Sequence, residues 1–303
     1  MAGHACQSFC VRDPMAALLR LAGKFAILSR PILITGEPGT GKTFLARWIH
    51  EMSGRPGGFI SLHCRELALD TGMAELFGHT AGAFTGATRD RKGLLETHNR
   101  GTVSLEEIGI ATAAVQEKLL KPLEDRNLRR MGEDRPRLLD VRIIATTNED
   151  LGAALAKGTL RADLLDRFGP FRLAVPPLRE RREEILPLAR YFIARAAAEC
   201  GRPVPRLMPD AIRALRDAPW PGNVRQLDQD CAYAVVMEDE GRPITAGSLP
   251  PLGDGAPPSR PRLTLETVRE MVAGAGGNVA RAARENGWSE RQLRRVLGAA
   301  TNG

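Results

Sequence analysis

The chain has 303 residues, 43% of them hydrophobic and only 5% aromatic, with 43 Lys+Arg against 36 Asp+Glu for a formal charge of +7. That length and apolar content exclude a single small module and a disordered chain, and the positive balance permits nucleic-acid binding without demanding it. Five scattered cysteines with no C-x-x-C pair argue against a disulfide framework or metal site, and neither a signal-peptide pattern nor a bilayer-length apolar run is present. A reduced cytoplasmic protein with no membrane partner is expected.

Up to about Val175, short apolar runs alternate with longer helical patterns. Strands are predicted over 31–35, 59–63, 102–105, 141–146 and 171–175, and helices over 42–52, 66–77 and 113–127. Alternation of this kind points to an α/β fold with a parallel sheet between helices. After Pro176-Pro177 only helical patterns remain, from Arg182 to Val236. Ile185, Leu188, Ala189 and Phe192 recur at helical spacing, Pro209 suits a first helical turn, and Pro221-Gly222 precedes another helix. These features describe a small helical lid. Residues 250–262 are dense in Pro and Gly and read as a linker, leaving a short basic helical module at 263–303. The expected organisation is therefore 1–176, a nucleotide-binding α/β region; 177–249, the lid; 250–262, the linker; and 263–303, a DNA-binding helix-turn-helix.

The motif that carries chemistry is Gly36-Glu37-Pro38-Gly39-Thr40-Gly41-Lys42-Thr43, a G-x-x-x-x-G-K-[ST] P-loop between a predicted strand and a predicted helix. Its glycines let backbone N–H groups turn toward phosphate oxygens, and the helix N-terminus adds partial positive charge. Lys42 is expected on the β- and γ-phosphates of ATP, with the Thr43 hydroxyl on Mg2+. Such a site also needs a carboxylate at the end of a neighbouring strand. Glu106 is the candidate for the metal and Glu107 for orienting the attacking water. Asn148, ending the next strand, is a candidate for positioning the water or sensing the γ-phosphate. Arg161 and Arg167 admit two readings, surface charges or arginine fingers reaching a neighbouring subunit. Arg225 is placed to approach the nucleotide from the lid.

Gly82-Ala83-Phe84-Thr85-Gly86-Ala87 sets an aromatic in a run too rich in Gly for a helix. By its residues alone Phe84 either tucks into the core or anchors a partner. In the last segment, 278–286 reads as a helix, Gly287-Trp288-Ser289 as a turn, and 290–297 as a second helix capped by Ser289. Ala282, Ala283, Leu293 and Leu297 are expected inside. Arg291, Gln292, Arg294 and Arg295 are expected outside, suited to the phosphates and base edges of double-stranded DNA.

Taken together these stretches resemble the bacterial enhancer-binding proteins that activate sigma-54 RNA polymerase, which are AAA+ ATPases. The most specific match is Glu75-Leu76-Phe77-Gly78-His79 followed by Gly82–Ala87. Further matches are Pro177-Leu178-Arg179-Glu180-Arg181, Trp220-Pro221-Gly222-Asn223-Val224-Arg225 and the Fis-type Gly277-Asn278-Val279-Ala280-Arg281-Ala282-Ala283. The resemblance implies that Gly82–Ala87 contacts sigma-54, that Arg161 and Arg167 are arginine fingers, and that Asn148 and Arg225 are sensors. It also implies a ring, commonly a hexamer, with ATP sites shared between subunits. Three departures from the family pattern stand out. Glu106-Glu107 replaces Asp-Glu, and magnesium tolerates misplaced ligands poorly. His63 replaces an Asn that restrains the catalytic Glu. The P-loop begins at Gly36, so no N-terminal receiver domain is expected.

Overall fold

The computed structural model describes residues 14–68, 70–252, 265–276, 278–279 and 281–282. The chain divides into two compact units, Met1–Gly253 and Asp254–Gly303.

The larger unit opens with helix α1 (Pro14–Ala26), which none of the predicted elements covered. Its Leu18, Ala22 and Ala26 recur four apart on the buried side. Strand β1 (Ile32–Thr35), helix α2 (Lys42–Met52) and strand β2 (Phe59–His63) follow as the apolar periodicity predicts. The helix expected over 66–77 is in two pieces, a 3-10 turn at Cys64–Ala68 and helix α3 (Asp70–Phe77). Gly72 permits this close fold-back, because a Cβ there would lie 2.1 Å from the Glu66 carbonyl oxygen. Strands β3 (Gly78–His79) and β4 (Arg91–Lys92) pair antiparallel, and helix α4 (Leu94–Thr97) leads into strand β5 (Thr102–Glu106). Helix α5 (Ala113–Glu124) stops before the expected Asn127, since Arg126 takes a left-handed φ of 53° that no helix continues through. Strands β6 (Asn127–Leu128) and β7 (Arg137–Leu138) form a short hairpin. Strand β8 (Arg142–Thr147), helices α6 (Leu151–Lys157) and α7 (Ala162–Phe168), and strand β9 (Arg172–Ala174) complete the α/β region.

The main sheet runs β2-β5-β8-β1-β9 with every pair parallel. Parallel strands need helical crossovers, which cover both faces. Ile32, Ile34 and Ile144 pack with Leu18, Leu45 and Ile49 of α1 and α2. Leu33, Ile143 and Ala145 point to the other face, where Phe77, Leu119 and Leu164 bring in α3, α5 and α7. The alternation within β1 and β8 is the two-residue period of a strand. In this order the end of β1 lies beside that of β8, with the end of β5 one strand further along the same edge of the sheet.

Helices α8 (Ile185–Glu199), α9 (Pro209–Asp217) and α10 (Asn223–Met237) form the lid, with Pro209 in the first turn of α9. They surround Trp220, which is wholly buried and donates its indole N–H to the Leu215 carbonyl at 2.9 Å.

In the smaller unit, helix α11 (Leu265–Gly274) contributes Val268 to a cluster with Ala275 and Ala282. Asn278 starts a further turn, its Oδ1 accepting the Arg281 N–H at 3.0 Å and its carbonyl the Ala282 N–H at 2.9 Å. Ala282 is buried, as its expected inward position requires. The expected turn at 287–289 and second helix, with Ala283, Ser289, Arg291, Gln292, Leu293, Arg294, Arg295 and Leu297, lie outside the described residues, as does 253–262 of the expected linker. Among the described residues no helix is long and apolar enough to cross a membrane.

Candidate nucleotide site and its lid

The loop after β1 turns through glycines at left-handed φ, +79° at Gly39 and +99° at Gly41. Gly41 caps α2 without a side-chain acceptor, so the first N–H groups of α2 face the loop. Lys42 is buried; its Nζ donates to the carbonyls of Gly36 at 2.8 Å and Glu37 at 3.3 Å and stands 3.5 Å from Glu107 Oε1. Burial holds the Lys42 ammonium below the ordinary lysine pKa, and the charge of Glu107 opposes that shift. Arg225 pushes it the same way as burial, which places a second positive charge near Lys42.

On the other side of the loop, the Thr43 hydroxyl donates to Glu106 Oε1 at 2.7 Å. The Ser61 hydroxyl donates to the same oxygen at 2.6 Å. The longer side chain of Glu106 thus reaches Thr43 without displacing the strand. Among the described residues no group of three or more His, Cys, Asp or Glu is arranged to hold a metal. One hydroxyl and one carboxylate suit Mg2+, which takes hard oxygen ligands and normally completes its octahedron with water and substrate phosphates. The donor set fits a metal that arrives with a nucleotide.

Glu107 follows directly with a left-handed φ of 57°. Its N–H reaches Thr146 Oγ1 at 3.4 Å, and its Oε2 accepts the backbone N–H of Asn148 at 2.8 Å. The main chain of Asn148, not its exposed side chain, therefore touches Glu107. His63 takes no part: its Nδ1 accepts the Arg65 N–H at 3.3 Å, and among the described residues it makes no hydrogen bond to Glu107.

The lid grips the loop through Arg225 and through three residues, Arg179, Arg181 and Asn223, to which the sequence assigns no role. Arg179 forks onto Glu37 with contacts of 2.6 and 2.8 Å. Asn223, wholly buried at φ 53°, donates to Glu37 Oε2 at 3.1 Å and the Pro38 carbonyl at 3.0 Å, while its Oδ1 accepts the Leu178 N–H at 2.7 Å. Arg181 donates to the Thr40 carbonyl at 2.7 Å, and the Arg225 N–H to the Gly39 carbonyl at 3.2 Å. A Cβ on Gly39 would stand 2.4 Å from the Gly222 carbonyl oxygen, so this approach requires glycine. The Arg179 guanidinium holds the Glu37 carboxyl down at about 2, with Asn223 assisting against the opposing effect of burial. The available signal was Arg and Asn beside proline in Pro177–Arg181 and Trp220–Arg225.

Arg161 forks onto Asp163 at 2.8 and 3.0 Å, and Arg167 pairs with Glu124 at 3.2 Å. Arg161 directly precedes α7 and Arg167 lies in its last turn, and neither makes any of the contacts that assemble the loop. The Gly82–Ala87 segment closes on itself, with the Gly82 N–H on the Ala87 carbonyl at 2.7 Å and the Ala87 N–H on the Phe84 carbonyl at 3.0 Å. Gly82 and Gly86 supply positive φ of 81° and 99°. Phe84 is half-buried, its ring set edgewise on His79 at 5.0 Å, so it is in neither main core.

Residues 10–174 match the sigma-54 interaction domain family and 179–264 an AAA+ ATPase lid domain. Regulatory protein AtoC of Escherichia coli is 42% identical over 238 residues, 78% of this chain and 51% of that protein. The DNA-binding transcriptional regulator NtrC of Klebsiella pneumoniae is 39% identical over 281 residues, 92% of this chain and 60% of that one. The chain thus spans half to three-fifths of the length of these relatives. The crystal structure of NtrX from Brucella abortus in complex with ADP superposes with a TM-score of 0.72 at 30% identity, covering 97% of this chain and 70% of NtrX. With more than half of its residues in the domain match and the lid directly after it, the chain belongs to the sigma-54 interaction domain family of AAA+ proteins.

Proposed function

We propose that the chain is a transcription activator that binds upstream DNA and spends ATP to remodel sigma-54 RNA polymerase closed complexes. The observation that carries this reading is the 2.7 Å meeting of Thr43 and Glu106 beside a P-loop whose Lys42 stands against Glu107. The loop N–H groups, Lys42 and Arg225 would bind the phosphates, and Thr43 with Glu106 would hold Mg2+, which supplies charge neutralisation. Glu107 would orient the attacking water, and Asn148 at the strand end would sense the γ-phosphate. In a ring, commonly a hexamer, Arg161 and Arg167 would leave Asp163 and Glu124 for the γ-phosphate of the adjoining subunit. Gly82, Ala83, Phe84, Thr85, Gly86 and Ala87 would contact sigma-54, and Ser289, Arg291, Gln292, Arg294 and Arg295 would contact DNA. Support comes from the family match, from NtrX structures in complex with ADP and ATP, and from NtrC, a DNA-binding transcriptional regulator.

The test is ATPase activity against protein concentration, with and without sigma-54. Turnover per subunit should rise with association and vanish in Lys42→Ala. Phe84→Ala should keep turnover yet fail to bind sigma-54; equal open-complex formation by Phe84→Ala and wild type refutes the reading. A second reading, a nucleotide-gated DNA-binding regulator with little turnover, is favoured by Glu107 being tied to Lys42 and the Asn148 main chain while His63 stands apart. A wild-type rate no higher than that of Lys42→Ala would select it.

A further inference from the structure

We infer that Ser61 is a positioning residue for the divalent-cation site, holding the Glu106 carboxylate in the place the cation requires. The inference rests on the nucleotide site proposed above. Register pairs Ser61 with Ser104 and His63 with Glu106 across β2 and β5. Ser61 and Glu106 are therefore diagonal neighbours on one face of the sheet, a separation that a long side chain spans. Glu106 folds back along its strand and places Oε1 at 2.6 Å from Ser61 Oγ and 2.7 Å from Thr43 Oγ1.

Two hydroxyls from different elements thus fix one oxygen, and among the described residues Oε2 accepts no hydrogen bond. The two hydroxyls have different duties. Thr43 is the P-loop residue whose hydroxyl would offer a lone pair to the metal when a nucleotide is bound. Ser61 stands outside the P-loop, so its bond to Glu106 is a tether separate from that of Thr43. A glutamate with a free end samples more rotamers than its shorter homologue, and magnesium demands near-ideal octahedral placement. The Ser61 bond removes that freedom. The neighbouring Ser104 hydroxyl is buried and makes no hydrogen bond to a described residue, so it does not compete for Ser61.

The experiment is a magnesium titration of ADP binding to the full chain, read by fluorescence of a labelled ADP, with a parallel titration in EDTA. Removing a hydrogen bond that orients a metal ligand typically costs about 10- to 100-fold in metal affinity. Ser61→Ala should raise the half-saturating magnesium by at least about tenfold on that scale and leave ADP affinity in EDTA unchanged. Ser61→Thr, which keeps the hydroxyl, should titrate like wild type. Ser61→Val has the shape of threonine without the hydroxyl and should behave like Ser61→Ala, so the Thr/Val pair decides even if the alanine variant unfolds. In a Glu106→Asp background the carboxylate no longer reaches Ser61, and Ser61→Ala should shift the magnesium midpoint by less than about twofold, the independence expected of uncoupled groups. A wild-type midpoint in Ser61→Val, or an equal loss of ADP affinity in EDTA, overturns the inference and leaves the proposed function standing. A wild-type chain that binds no ADP overturns both.

Discussion

Replacing Asn223 by alanine tests whether the lid is latched to the P-loop as the contacts indicate. The substitution strands the Leu178 N–H, which sits on a wholly buried residue and donates to Asn223 Oδ1 at 2.7 Å. A buried donor left without an acceptor costs about 1–3 kcal/mol. It also places alanine at φ 53°, a left-handed conformation that asparagine tolerates and that disfavours alanine by about 1 kcal/mol. The contacts to Glu37 and the Pro38 carbonyl are lost as well, so a total near 3 kcal/mol is expected, with a range of about 2–5. Urea unfolding followed by tryptophan fluorescence reads this directly, because Trp220 is buried three residues away. With a slope of about 3 kcal/mol per M, the midpoint should fall by about 1 M. Asn223→Gly removes the backbone strain and not the lost bonds, so it should recover about 1 kcal/mol of the deficit. A midpoint shift under about 0.2 M in Asn223→Ala would refute the latch.

Three further predictions use the same surroundings. Because the folded pKa of Glu37 lies near 2 against an ordinary 4.5, the stability it supplies through Arg179 is complete above 4.5 and fades as pH falls toward 2. Unfolding midpoints of wild type and Arg179→Ala should therefore converge over that window, and a gap that stays constant into acid would show that the ion pair does not titrate with folding. Burial lifts the Cys64 and Cys231 thiols to about 12, whereas Cys200 is exposed. A thiol reagent followed by peptide mapping should mark Cys200 in the native protein and reach Cys64 and Cys231 only on unfolding; early labelling of Cys64 contradicts its burial. Phe84→Ala should cost no more than about 1.5 kcal/mol, because the half-buried ring gains chiefly an edgewise contact with His79. A thermal melt showing a much larger loss would mean that Phe84 is a core residue and not an available anchor.

Much of the fold was legible along the chain because it rests on local signals. The five main strands and α2 are continuous apolar or periodic stretches, and the P-loop glycines announce a turn that few other residues permit. Helix α1 lies outside the predicted elements although its buried residues repeat every four and Asp13-Pro14 is a helix-start pair. The two small hairpins, β3–β4 and β6–β7, have strands of two residues each, too short for a period to show.

The identities of Lys42, Thr43, Glu106 and Glu107 were likewise written in motif and spacing. Their partners were not. That Glu106 is shared by Thr43 and Ser61 depends on the register of β2 against β5, residues 45 positions apart. That Glu107 touches Lys42 and the Asn148 main chain, while His63 does not reach it, depends on how three strand ends line up. The clasp of Arg179, Arg181 and Asn223 on Glu37, Pro38 and Thr40 joins segments about 140 to 185 residues apart. The sequence by itself determines where phosphate chemistry is possible, because backbone conformation and side-chain type are local properties. Only the tertiary structure decides which groups hold Glu106 and Glu107 in place, because hydrogen bonds and ion pairs follow distance in space and not distance along the chain.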